Sequence, residues 1–315
     1  MTLDKNLLDS FVNVTSKAAI ATYNYIGKKN KDLADKAAVD AMRSEINKLN
    51  IDAKIVIGEG ELDEAPMLFI GEKLGTGNGI SLDIAVDPLE GTNFVANNLP
   101  GGLSVLAISK KNGLFSAPET YMDKIAVGSD IPNEAVDLDN PLEINLKNIA
   151  DARNKDLTNL TVCLLDRPRH KKIIEKLKYL KVKIKLITDG DVSGSLLVTD
   201  KKHDVDLFLG IGGGPEGVLS ACALDSFKCK FQGRFIFKSD QDIKRAKEMG
   251  IKDLKKKYEI NEIIKGDSIF CATGVTSGDL LNGIKAEKNN FITETFVTHK
   301  SSNLKKIYKK KYQNQ

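Results

Sequence analysis

A chain of 315 residues has room for two compact domains, and its 41% hydrophobic and 29% charged content excludes a disordered or fibrous protein. With no Trp and only 6% aromatic residues, it lacks the stacking platforms that bind single-stranded nucleic acid. The net charge of +4 is local: Lys300, Lys305, Lys306, Lys309, Lys310 and Lys311 crowd residues 299–315 with no acid among them, leaving the rest at −2. This tail is therefore expected to be a solvated helix end or mobile terminus, not a nucleic-acid arm.

Apolar residues recur at helical spacing over 2–25 and 32–50. Asp4 and Asp9 interrupt any secretory pattern, and no run approaches the roughly 18 to 20 apolar residues that span a bilayer, so a soluble cytoplasmic protein is expected. Ile55-Val56-Ile57 reads as a strand closed by Gly58, and Asp83–Asp87 as another, stopped by Pro88 because proline has no N–H to pair. Leu103–Ser109 and Lys124–Val127 are further strands, so a largely antiparallel α+β half is expected over 1–158. Beyond the polar stretch 151–159, strands at Thr161–Leu165, Lys183–Ile187 and Val205–Leu209 alternate with helices at Lys171–Leu180, Val192–Val198 and Glu216–Leu224. That alternation predicts a parallel α/β half over 159–315. Cys163, Cys222, Cys229 and Cys271 show no paired spacing; Cys163 and Cys271 lie in apolar strands, where a thiol packs as a small hydrophobe.

Three clusters carry chemistry. Asp87-Pro88-Leu89-Glu90-Gly91-Thr92 places two acids and a hydroxyl on one turn after an apolar strand. A bare Asp-x-x-Glu is commonly a solvated turn; the full string suits Mn²⁺ or Mg²⁺, which prefer carboxylate, water and phosphate oxygens. Glu59-Gly60-Glu61-Leu62-Asp63-Glu64 is an acidic loop in which Glu59, just past a strand, is best placed to enter a site, while Glu61, Asp63 and Glu64 read equally well as solvated charge. In the second half, Arg167-Pro168-Arg169, Asp189-Gly190-Asp191 and Gly212–Glu216 follow successive strands, at the edge where open parallel sheets bind ligands. The arginines suit a phosphate, the aspartates sugar hydroxyls, and the glycine N–H groups an anion. Gly212–Gly217 formally fits a dinucleotide-binding pattern, but Glu216 would repel a pyrophosphate and suits a metal better. His170, His203 and His299 form no zinc pair. Carboxylates, threonine, arginine and glycine point to metal-assisted phosphoryl transfer to water.

On these residues the chain resembles the class II fructose-1,6-bisphosphatases, within the lithium-sensitive, metal-dependent phosphatase superfamily. The superfamily signature is Asp87–Thr92; the strings running from Val56 to Glu61 and from Asp63 to Leu68, Asp83–Thr92, Arg167-Pro168-Arg169-His170, Asp189–Asp191, Gly212–Val218 and Ala272–Thr276 are specific to class II. The resemblance implies a layered α/β sugar-phosphatase fold, metal ligation by Asp35, Glu59, Asp87, Glu90 and Glu216, and substrate contacts at Glu90, Gly91, Thr92, Tyr121, Arg167, Pro168, Arg169, Asp189, Gly190, Asp191 and Gly213. Thr92, with Asp35 and Glu59, would be catalytic, and the protein a homodimer or homotetramer acting on a small sugar bisphosphate, with neither nucleic acid nor membrane as partner. It departs from the family at Gly27-Lys28-Lys29-Asn30-Lys31, where Asn30 replaces the usual acid and Lys31 is the equivalent lysine. Dual action on sedoheptulose 1,7-bisphosphate, or a non-catalytic sugar-phosphate sensor, are the alternatives; an intact Thr92 and five intact carboxylates disfavour the sensor.

Overall fold

The computed structural model describes residues 2–59 and 67–313. The chain divides into one unit of Met1–Glu119 with Ile264–Gln315 and a second of Thr120–Ile263. The expected boundary at 151–159 falls instead inside the second unit. The reason is non-local: strands near the C-terminus return to the sheet of the first unit, which no shift in local composition announces.

The first unit comprises α1 (Lys5–Ala21), α2 (Lys31–Ile46), β1 (Ile51–Ile57), β2 (Lys73–Leu74), β3 (Ile80–Glu90), α3 (Thr92–Ala96) and β4 (Leu103–Lys110). It resumes, after the second unit, at β11 (Ser268–Gly274), β12 (Lys285–Glu287), β13 (Asn290–His299) and β14 (Leu304–Gln313). Its sheet runs β12-β13-β11-β4-β3-β1-β2, with β14 also on β13. Among the described strands of this sheet β1 and β3 pair parallel and the rest antiparallel. That is as expected for β3 and β4, but β11–β14 lie in the half expected to be parallel α/β and pair antiparallel instead. Alternate residues of the central strands (Ile51, Ala53 and Ile55; Leu82, Ile84 and Val86; Leu106 and Ile108) face Phe11, Val12 and Val14 of α1 and Val39, Met42 and Ile46 of α2. The period of two in the strands meets the 3.6-residue stripe of the helices, and each fully buried aliphatic side chain contributes about 1.5–3 kcal/mol.

Two expectations fail here. Pro88 does not end its strand: β3 continues to Glu90 through a bulge, because Asp87 pairs with Val105 whereas Glu90 pairs with Leu103. The missing proline N–H falls where the ladder is already irregular. The lysine tail is neither helix end nor mobile terminus but β14, paired along its length with β13 from His299↔Leu304 to Asn290↔Gln313. Leu304 and Tyr308 pack on the core, Lys309 reaches Glu294 and Lys310 reaches Asp9. The remaining lysines charge a sheet edge, which discourages edge-to-edge association.

The second unit comprises β5 (Tyr121–Val127), α4 (Leu142–Arg153), β6 (Thr161–Leu165), α5 (Lys171–Tyr179), β7 (Lys183–Ile187), α6 (Asp191–Leu196), β8 (Leu207–Gly213), α7 (Gly214–Ser226), β9 (Lys230–Ile236), α8 (Asp240–Glu248), β10 (Tyr258–Glu259) and α9 (Ile260–Ile263). The strand order is β10-β9-β5-β8-β6-β7. Strands β6, β7 and β8 are parallel as expected, but β5, β9 and β10 join antiparallel, so the sheet is mixed, not purely parallel. Leu146 and Ile149 of α4 and Leu177 of α5 pack with Val162, Leu164, Leu207 and Leu209. On the opposite parity, Gly194 of α6 lies against Phe208 and Cys163. The unit is thus a helix–sheet–helix layering. All four cysteines are buried.

Candidate active site

The bulge in β3 has a chemical consequence. Three residues apart on a regular strand, Asp87 and Glu90 would point to opposite faces. Their partners Val105 and Leu103 are two apart and share a face of β4, so the extra residue turns both carboxylates to one face. Both are buried. Gly91 follows with φ +74°, a left-handed conformation that L side chains rarely adopt, and serves as the cap residue before α3. Thr92 then opens that helix.

Glu59 lies just beyond β1. The last β1 residue paired with β3, Ile57, is level with Ala85, two residues before Asp87; the Glu59 N–H donates to the Leu68 carbonyl at 3.0 Å. The remainder of the acidic loop, including Glu61, Asp63 and Glu64, lies outside the described residues. Asp35 is in the first turns of α2, whose Ala34 and Ala38 pack with Leu89, within the Asp87–Thr92 turn, and with Val95 just after it. Asn30, in place of the usual acid, caps α2 by accepting from the Leu33 N–H at 3.1 Å. Asparagine caps as well as aspartate, so the helix that carries Asp35 does not need the acid.

One oxygen each of Asp35, Glu59, Asp87 and Glu90 is buried and accepts no hydrogen bond, although the last three carboxylates keep other interactions. Burial, reinforced by Asp32, pushes the Asp35 carboxyl up to about 6. Buried, acceptor-only oxygens of this kind fit a hard divalent cation. Among the described residues, no three such side chains stand close enough together to form an ion cage by themselves.

In the second unit, β6 leads into the Arg167-Pro168-Arg169 turn, which His170 anchors. His170 is fully buried; its Nδ1 donates to the Leu165 carbonyl at 2.7 Å and its Nε2 accepts from the Ile211 N–H at 2.8 Å. The carbonyl can only accept and the amide can only donate, so the ring is neutral with its proton on Nδ1. Burial holds its pKa below the ordinary value. Arg169 donates through Nε to the Ile211 carbonyl at 2.8 Å and stacks over Tyr121 at 5.1 Å. Arg167 faces Asp189 at 3.8 Å in a half-exposed pair. Gly190, with φ +79°, carries the chain from Asp189 into α6.

Asp191 is not open to solvent. It is buried and paired with Lys124, whose ammonium also donates to the Gly213 carbonyl at 2.9 Å. Tyr121 pairs with Gly213 across the β5–β8 ladder. A Cβ on Gly213 would lie 1.8 Å from Glu216 Oε2, so only glycine lets that carboxylate fold beneath the strand end. The expectation that the glycine N–H groups await an anion fails at Gly214, whose N–H donates to the Thr120 carbonyl at 2.6 Å.

Tyr121, Arg169, Gly213, Glu216 and Asp191 are thus linked by direct contacts or pairing within one unit, and Arg167 and Asp189 face each other there. Asp35, Glu59, Asp87, Glu90, Gly91 and Thr92 belong to the other. Sequence reasoning missed Lys124 and the anchoring by His170. A lone lysine in the buried stretch Met122–Val127 was the available signal for the first. Thr273 and Thr276, in the Ala272–Thr276 string, serve structure: Thr273 bonds Thr15 and Thr295 in the core, and Thr276 Oγ1 accepts from the Gly102 N–H.

A family model described as bacterial fructose-1,6-bisphosphatase, glpX-encoded, matches residues 5–312. The chain is 42% identical to fructose-1,6-bisphosphatase 1 class 2 of Escherichia coli (strain K12), over 96% of this chain and 94% of that one. It is also 42% identical to fructose-1,6-bisphosphatase class 2 of Haemophilus influenzae, covering 97% and 96%. Identity is 40% to a Prochlorococcus marinus (strain MIT 9301) protein named D-fructose 1,6-bisphosphatase class 2/sedoheptulose 1,7-bisphosphatase, covering 94% and 92%.

Proposed function

Because this chain belongs to the family of class 2 fructose-1,6-bisphosphatases, we propose that it hydrolyses the 1-phosphate of fructose 1,6-bisphosphate, giving fructose 6-phosphate and inorganic phosphate. The observation that carries this reading is the β3 bulge, which turns Asp87 and Glu90 to one face immediately before Gly91 and Thr92.

Asp35, Glu59, Asp87, Glu90 and Glu216 are the residues that would hold Mn²⁺ or Mg²⁺. When bound, such ions neutralise phosphate charge and make water a nucleophile near neutral pH. Thr92 orients the attacking water: its hydroxyl donates to a carboxylate, Asp35 in this reading, and keeps its lone pairs for the water. Asp35 and Glu59 form the acidic face that takes up the one proton the water releases, and the C1 oxygen takes up a proton as its bond to phosphorus breaks, leaving as the hydroxyl of fructose 6-phosphate. The Arg167-Pro168-Arg169 turn, with Tyr121 stacked against Arg169, grips the distal phosphate. Asp189 and Gly190 present groups to sugar hydroxyls, while Asp191, held by Lys124, stiffens that edge alongside Gly213. Attack is direct, without a phosphoenzyme.

No helix among the described residues is long and apolar enough to cross a membrane. The reading extends to a cytoplasmic homo-oligomer, dimer or tetramer, serving gluconeogenesis. Activity on sedoheptulose 1,7-bisphosphate is a second reading, favoured by the Prochlorococcus relative's name. Phosphate release from both bisphosphates with Mg²⁺ or Mn²⁺ tests the proposal and ranks the two. Release from neither refutes it.

A further inference from the structure

The Tyr121 ring has two cations on it. The Arg169 guanidinium lies 5.1 Å from its centroid and the Lys238 ammonium 3.8 Å. Lys238 does not arrive there by chance of a floppy loop. Ile236, two residues earlier, is the register partner of Tyr121, and its carbonyl accepts from Thr120 Oγ1 at 2.5 Å. The Lys238 N–H donates to Asp242 Oδ2 at 3.0 Å, beside the Ser239–Asp242 capping box that opens α8. The backbone is held on both sides while the side chain remains exposed.

Among the described residues no carboxylate stands within ion-pair range of Arg169 or Lys238. Two like charges sharing one ring are partly offset by its π face, but their mutual repulsion is fully relieved only by an anion. Arg167, two residues before Arg169, adds a third positive charge that is only loosely matched by Asp189. A phosphoester dianion with several acceptor oxygens is the ligand that suits such a set.

We propose that Lys238, together with Arg169 and Tyr121, binds the phosphate of the sugar bisphosphate that is not hydrolysed, and so selects bisphosphates. This assignment rests on the bisphosphatase reading above. Steady-state kinetics of the full chain with Mg²⁺ or Mn²⁺ test it, using Lys238→Ala and Lys238→Arg. For Lys238→Ala, KM for fructose 1,6-bisphosphate is expected to rise at least about tenfold, the scale of one charge-assisted hydrogen bond. Its kcat should change less than about twofold, since the contact is equally present in ground and transition states. The inhibition constant of fructose 6-phosphate, which keeps the distal phosphate, should rise in parallel, and Lys238→Arg should recover most of both losses. An unchanged KM and inhibition constant in Lys238→Ala, beside an active wild type, would overturn this assignment alone. A wild type that releases no phosphate overturns the parent reading and this one with it.

Discussion

Replacing Lys124 by Met keeps the aliphatic stem in its packed position and deletes only the ammonium. The Lys124 and Asp191 side chains are 1% and 7% exposed, so water cannot stand in for the lost charge. Breaking a buried ion pair from one side leaves an uncompensated charge and costs about 3–5 kcal/mol. Losing the bond to the Gly213 carbonyl adds about 1 kcal/mol. Urea unfolding followed by circular dichroism is the assay, with Asp191→Asn and the double variant completing a cycle. The double variant removes both charges, so it is expected to recover more than half of the loss, a coupling of at least about 2 kcal/mol. If Lys124→Met costs under about 1 kcal/mol, or the two substitutions simply add, the pair does not hold the strand end as argued.

Thr92→Ala should lower kcat by at least about a hundredfold with an unchanged unfolding transition; near-normal turnover would remove Thr92 from its role. Glu59→Gln should shift the Mg²⁺ or Mn²⁺ titration of activity to higher concentration, and an identical titration would mark Glu59 as mere surface charge. His170 has a folded pKa depressed below its ordinary 6.5, so its stabilising contribution is full above that value and is lost as pH falls through the folded pKa. Between pH 7.5 and 5.0, wild-type stability should therefore fall more steeply than that of His170→Gln, measured by urea unfolding. Equal slopes would contradict the neutral, Nδ1-protonated ring.

The chemistry-bearing strings were legible because each lies within a few residues. Asp87–Thr92 could be read as two acids and a hydroxyl on one turn, and the three parallel strands of the second unit put Arg167, Asp189 and Gly213 at equivalent ends. What escaped depends on pairing partners distant in sequence. The bulge that aligns Asp87 with Glu90 is defined only by its register with β4, and Pro88 alone suggested a stop. The unit boundary was hidden because β11 pairs with β4 across some 160 residues. The tail looked mobile because its lysines outweigh Leu304, Tyr308 and Tyr312, whereas β13 supplies it with a full ladder of hydrogen bonds and with Glu294. Lys124 looked like an ordinary strand residue until Asp191, from a helix start 67 residues on, was found against it.

Hydrolysis of the 1-phosphate by bond cleavage at phosphorus, with the solvent oxygen delivered to phosphorus, is tested most directly by single-turnover hydrolysis of fructose 1,6-bisphosphate in ¹⁸O-labelled water. The expected result is one ¹⁸O atom in the released phosphate, none in the sugar, and fructose 6-phosphate as the only sugar product. Label in the sugar C1 oxygen, or release of the 6-phosphate instead, would contradict it.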